Sequence, residues 1–223
     1  TKRFEYVMQH AREGNPWAKF VVGMDYQDGF GVLPDFQQAA TWIRQASEKG
    51  IAEASFGLGI CYDQGRGVEE DPQQAAKYYR MAIEKGVPFA YMNLASLYYS
   101  GRGVPKDFKI GDQLLQQAAE LGHAEIQWRH GFNLVSHLPN LYEGDGTDEA
   151  AKEAQEAIKW LKQAADQGLV RAAYNLGQIY LFGKGVRQDL EEASKWIRIA
   201  ADQGDEDAQE MLKQIEAFKK ENP

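Results

Sequence analysis

The sequence has little of what would mark a nucleic-acid binder, a membrane-spanning chain or a disulfide scaffold. It holds one cysteine, Cys61, so no disulfide can close within the chain. That suits the cytoplasm but leaves the periplasm open. No apolar run approaches the roughly 18 residues that a spanning helix requires, so direct membrane insertion is not expected. Lysine and arginine number 25 against 33 aspartates and glutamates, a net charge of −8. Phosphate binding needs a basic face, so a nucleic-acid partner is not expected either. The chain starts at Thr1 rather than at methionine, which leaves room for an upstream segment that was removed. G-x-S-x-G, S-x-x-K and H-E-x-x-H are all missing, and with them the commonest signatures of a nucleophilic serine or a zinc helix.

What is present is repetition. A glycine recurs at Gly14, Gly50, Gly86, Gly122, Gly168 and Gly204, from Gly50 onward behind Glu-x or Asp-x. The steps are 36, 36, 36, 46 and 36 residues. A G-x-G-V element falls inside each regular step, at residues 29–32, 65–68, 101–104 and 183–186. In the fourth unit it is replaced by an insertion at residues 137–151. A fixed period of this length is the mark of a stacked repeat architecture.

Each unit reads as two helices. The first carries a stripe at i, i+4, i+8: Ala54, Leu58 and Tyr62, then Ala90, Leu94 and Tyr98, then Ala172, Leu176 and Tyr180. The second follows a capping aspartate, Asp35, Asp71, Asp107 or Asp189, whose carboxylate can accept the free amides of a first turn. It pairs alanines with a large ring: Ala39, Trp42 and Ala46; Ala75, Tyr78 and Ala82; Ala157, Trp160 and Ala164; Ala193, Trp196 and Ala200. The G-x-G therefore lies in the hinge of a helical hairpin. A phosphate cradle would need an apolar strand before it or Lys-Ser or Lys-Thr after it, and neither is there. Residues 1–14 read as a lone second helix, with Phe4, Tyr6 and Val7 apolar. Residues 205–223 read as a lone first helix, with Ala208, Leu212 and Ile215 inward.

The stretch AAYNLGQIYLFGKGVRQDLEEASKWIRIAADQG (residues 172–204) resembles the Sel1-like repeat, a 36-residue relative of the tetratricopeptide repeat. The resemblance covers about 200 residues. It implies an all-α fold: a right-handed α-solenoid of about five helix-turn-helix units at 15–50, 51–86, 87–122, 123–168 and 169–204, with a half-repeat helix at each end. It further implies a non-catalytic scaffold or adaptor for another protein, in bacterial signalling or envelope settings, with no cofactor. A dedicated inhibitor, such as an immunity protein that neutralises a toxin, is the alternative. A cell-wall hydrolase is a remote third. The disulfide-bearing subgroup of similar proteins is not matched, because the cysteines are absent.

In such a solenoid the first helices line the concave side. The positions beside the core stripe then form a groove: Trp17, Phe20 and Met24; Phe56 and Ile60; Phe89, Met92 and Tyr99; Trp128 and Phe132; Arg171 and Tyr174. The next offset adds Asn93, Arg129 and Asn175, which can hydrogen-bond a ligand. The repeat pattern does not require Trp17, Phe89, Tyr99 or Phe132, and aromatic and methionine patches mark interaction sites. Three other features carry less. His130 and His137 lie seven apart without a third ligand. Cys61 lies beside core Tyr62 without a base. EGDGTDE at residues 143–149 lacks the ligand spacing of a calcium loop.

Overall fold

The computed structural model describes residues 2–136, 138 and 148–221. Every element in it is a helix, and no strand occurs among the described residues. The chain divides into two compact units, Thr1–Leu114 and Leu115–Pro223. The first contains α1 (Lys2–Arg12), α2 (Pro16–Asp28), α3 (Phe36–Glu48), α4 (Ala52–Gln64), α5 (Pro72–Ile83), α6 (Pro88–Ser100) and the start of α7 (Phe108–Glu120). The second contains the rest of α7, then α8 (Ala124–Ser136), α9 (Asp148–Asp166), α10 (Val170–Phe182), α11 (Leu190–Asp202) and α12 (Glu206–Glu221). In each unit, consecutive helices pack as hairpins: α2 on α3 and α4 on α5, and likewise α8 on α9 and α10 on α11.

The hairpin follows from three local signals. The first helix stops at a glycine in the left-handed region, Gly65 at φ 65° for α4 and Gly101 at φ 73° for α6, a conformation that costs other residues a Cβ clash. The second helix starts on the aspartate: Asp71 Oδ1 accepts the amides of Gln73 and Gln74, each at 3.0 Å. A backbone clip then closes the loop. The amides of Asp35, Asp71, Asp107 and Asp189 donate to the carbonyls of Tyr26, Tyr62, Tyr98 and Tyr180 at 2.9–3.0 Å. The tyrosine and the aspartate of the repeat are therefore two ends of one hydrogen bond.

At Gly67 and Gly103 the second glycine of the G-x-G joins one hairpin to the hairpin before it. A Cβ on Gly67 (φ 72°) would lie 1.8 Å from the carbonyl oxygen of Phe36, and one on Gly103 would lie 2.3 Å from the carbonyl carbon of Pro72. Arg102, between the paired glycines of the third hairpin, reaches the same way. It lies 3.0 Å from Asp63 Oδ1 and 2.7 Å from Glu70 Oε1.

The alanine and leucine stripes do form the core. In the first unit Ile43, Ala54, Leu58, Ala75 and Ala90 are fully buried, and in the second Leu161, Leu176, Ile197 and Ala200 are. Each such leucine or isoleucine is worth about 2 kcal/mol by burial. One aromatic differs from the sequence expectation. In α5 the fully buried ring is Tyr79, whereas Tyr78 is half-buried and stacks on Tyr62 at 5.6 Å. Gly59 makes the room, since a Cβ there would meet the Tyr79 ring at 2.6 Å.

The ends use other devices. Met8 and Ala11 of α1 are buried, and Arg3 donates at 2.8 Å to Asp25, a buried carboxylate on α2. Tyr6 stays 65% exposed and packs against His10 instead of the core. At the other end Ala208 and Ile215 of α12 are buried, as the stripe predicts. Lys219 stands 36 residues after Gly183, so α12 runs through the register where earlier first helices stop. Its ammonium donates to Ser194 at 2.9 Å and pairs with Glu191 at 2.9 Å, tying α12 to the start of α11. In the fourth repeat, residues 148–151 lie in the first turn of α9. Alanines at 150, 151, 154 and 157 favour that extension. His137 and residues 143–147, with the central part of the histidine-pair and calcium-loop readings, lie outside the described residues.

Candidate interaction face

In the first unit the groove residues divide into two groups. Phe20 and Met24 of α2 are half-buried against the core that contains Ile43 and Leu58. Phe56 and Ile60 of α4 are half-buried against the core around Tyr79, with the Phe56 and Tyr79 rings 6.1 Å apart. These four bind hairpins to each other. Trp17 and Phe89 hold the same register on α2 and α6, and are 53% and 39% exposed. Trp17 meets Phe20 edge-on at 6.1 Å. Met92 is half-buried. Asn93 is also half-buried, and the Tyr79 phenol donates to Asp63 at 3.2 Å. Burial, and then the Asp63 charge, push the Tyr79 phenol far above its ordinary value.

Tyr99 is held differently from the rest of this set. Its ring lies against Gly111 of α7, where a Cβ would come within 2.4 Å, and its hydroxyl donates to Asp112 at 2.8 Å. The side chain is thus engaged within its own hairpin. The signal was available: other second helices carry alanine at this register, as at Ala75 and Ala193, and only glycine leaves the tyrosine its place.

The second unit builds a continuous arrangement between α8 and α10. Arg171 forms an ion pair with Glu125 and lies over the Trp128 ring, its guanidinium carbon 4.2 Å from the centroid. The Trp128 indole donates to Asn175 Oδ1 at 2.7 Å, and Asn175 Nδ2 donates to Gln178 at 3.1 Å. Trp128 and Phe132 stack at 5.7 Å. Tyr174 packs on the core, and burial followed by the nearby Asp207 and Asp205 charges raise its phenol. Arg129 and Phe132 are exposed, Phe132 by 42%. Beside Phe132 opens a cleft of about 450 Å³, lined among others by Val135, Asn175, Gln178, Phe182 and Lys184. Val135 falls at the last of the groove offsets, whereas Lys184 was not in the groove set; it comes from the hinge, the residue between the glycines.

The remaining chemistry-bearing groups are structural. Cys61 is buried, and burial raises its thiol against the opposing pull of Arg66 and Arg44. A protonated, enclosed thiol is a poor nucleophile. His130 is buried edge-on to Trp160 at 5.6 Å. Among the described residues no three His, Cys, Asp or Glu side chains group as metal ligands. Nor is any helix among them long and apolar enough to cross a membrane.

Helical hairpins clipped Tyr-to-Asp, hinged on G-x-G and joined glycine-to-backbone define an all-α repeat protein. Comparison with known proteins places it further. The Sel1 repeat matches residues 18–51, 52–87, 88–123, 141–169 and 170–205, and the chain belongs to the Sel1-repeat family. It is similar to the crystal structure of a Sel1 repeat protein from Oxalobacter formigenes, with 31% identity and a TM-score of 0.72 over 90% of this chain and 78% of that one. A Sel1 repeat protein from Klebsiella pneumoniae shares the fold at 18% identity and TM-score 0.52, covering 96% and 99% of the two chains. So does an immunity protein from Pseudomonas aeruginosa, at 17% and 0.53, covering 89% and 72%. A search of curated proteins found no match.

Proposed function

We propose that this chain is a non-catalytic protein-interaction module that binds a partner protein through the outward faces of its first helices. Sel1 repeats typically mediate protein–protein contacts. The observation that carries the reading for this chain is the exposure of Trp17, Phe89 and Phe132. Trp17 and Phe89 stand where other repeats carry Glu53, Glu125 and Arg171, and Phe132 stays exposed where Met24 and Ile60 are half-buried; water alone would favour lysine, glutamate or glutamine at such exposed positions. Exposed aromatic anchors dominate interface energies, and each fully desolvated ring is worth roughly 2 kcal/mol or more. The acidic balance of the chain favours encounter with a basic partner surface. The inhibitor reading rests on the immunity-protein likeness, which at 17% identity carries the fold alone.

The test compares the native chain with a Trp17→Ala, Phe89→Ala, Phe132→Ala variant of equal helical content by circular dichroism. Both serve as bait in lysate of the source cell. Retention of a protein by the native chain and its loss from the folded variant supports the reading. Equal retention by both removes these helices from the interface.

A further inference from the structure

The hinge residue between the two glycines has a structural task that Lys184 does not perform. In the third hairpin Arg102 reaches the preceding hairpin and pairs with Asp63 and Glu70. Lys184 occupies the same register, because each follows the first glycine of its G-x-G. The residue that corresponds to Asp63 in the preceding repeat is Val135. The Asp63 carboxylate has no counterpart there, and Val135 and Lys184 instead line one cleft with Phe132 and Phe182. Among the described residues the Lys184 ammonium has no hydrogen bond and no ion pair. Among the described residues no acidic side chain lines the cleft. The loop that carries Lys184 is fixed rather than free: a Cβ on Gly185 would lie 2.5 Å from Ala154 Cβ and 3.0 Å from Leu138 Cδ1. A cation with no acidic partner among the described residues is thus held at an apolar cleft in a chain whose net charge is −8.

We infer that the cleft between α8 and α10 binds a short segment of a partner protein in which a large apolar side chain adjoins an acidic one. The apolar side chain lies against Phe132, Val135 and Phe182, and the carboxylate pairs with Lys184. The volume of about 450 Å³ suits one large side chain with its flanking backbone. Gln178 and the second Nδ2 hydrogen of Asn175 supply donors for backbone carbonyls. Asn175 Oδ1 is already taken by Trp128, which fixes the amide's orientation. The inference rests on the interaction reading above and names the chemistry of the partner at one part of that face.

The probe is a pair of blocked heptapeptides, acetylated and amidated, with Asp-Leu-Phe or Lys-Leu-Phe between Gly-Ser flanks. Both are titrated into the full chain by calorimetry, and the site is followed by amide chemical shifts. The acidic peptide binds about fivefold more tightly than the lysine peptide, the ratio one partly shielded ion pair supplies. The ratio shrinks in high salt. Lys184→Gln abolishes the preference, and Phe132→Ala weakens both peptides. Lys184 makes no side-chain bond among the described residues, so its variant keeps the fold, which the melting curve checks. Equal affinity for the two peptides overturns the inference. So do a preference that survives Lys184→Gln, shifts centred away from α8 and α10, and no saturation by about 2 mM acidic peptide. The wider interaction reading fails on a different result, equal capture by the native chain and the triple variant.

Discussion

The joint between successive hairpins is open to a sharp test by two glycines. Gly67 and Gly86 both sit at positive φ, 72° and 82°. A Cβ on Gly86 would have nothing within 4 Å, whereas one on Gly67 would lie 1.8 Å from the Phe36 oxygen and 2.9 Å from the Gln37 nitrogen. Gly86→Ala therefore carries the left-handed backbone cost alone, about 1 kcal/mol. Gly67→Ala carries the same cost and must also move the loop off the preceding hairpin, a main-chain clash that no side-chain rotation relieves. Overpacking of that kind adds about 1–3 kcal/mol. For a chain of this length about 2–4 °C of melting temperature goes with each kcal/mol, so Gly67→Ala loses about 10 °C and Gly86→Ala about 3 °C. Melting followed at 222 nm reads both. Repeat arrays can melt in pieces, so amide exchange at α3 and α4 is measured alongside. Equal losses for the two variants would refute the account, because then the positive φ and not the contact with Phe36 would set the cost.

Two further outcomes concern the helix cap and the buried thiol. Asp71→Ala leaves the amides of Gln73 and Gln74 without their acceptor and costs about 1 kcal/mol in urea unfolding, while Asp71→Asn recovers most of it. The Cys61 thiol is raised above its ordinary 9.0 by burial, so an aromatic disulfide reagent at pH 8 modifies it only after unfolding. Because the folded value is the higher one, the protonated thiol contributes stability below about pH 9. That contribution is lost as pH rises from there through the folded value, and Cys61→Ala flattens this alkaline decline.

The hairpin itself was legible in the sequence because each of its signals is local. Gly65, Asp71 and the Ala54–Leu58–Tyr62 stripe lie within one repeat, and each constrains its own few dihedral angles. What escaped depends on a partner elsewhere. Tyr79 rather than Tyr78 is buried because Gly59, twenty residues earlier, leaves a hollow. Tyr99 turns onto α7 because Gly111 replaces an alanine, a signal visible at the repeat register but not read as one. The reach of Arg102 back to Asp63 spans 39 residues, and no periodicity announces it. In the candidate site the exposed Trp17, Phe89 and Phe132 were legible as departures from the repeat. Lys184 was not, since its meaning comes from an anion that Val135 has displaced.

At Gly67 and Gly103 the joint between hairpins grips main chain. Gly67 covers the carbonyl of a phenylalanine and Gly103 that of a proline, two residues with nothing in common beyond their backbone. A contact of that kind does not care which side chain the neighbouring unit carries there. Units of this design are therefore interchangeable at the seam. They can be duplicated, deleted or recombined in steps of one repeat without inventing a new fit each time. Selection is then free to alter residues such as Trp17, Phe89 and Lys184 without reopening the question of how the units hold together.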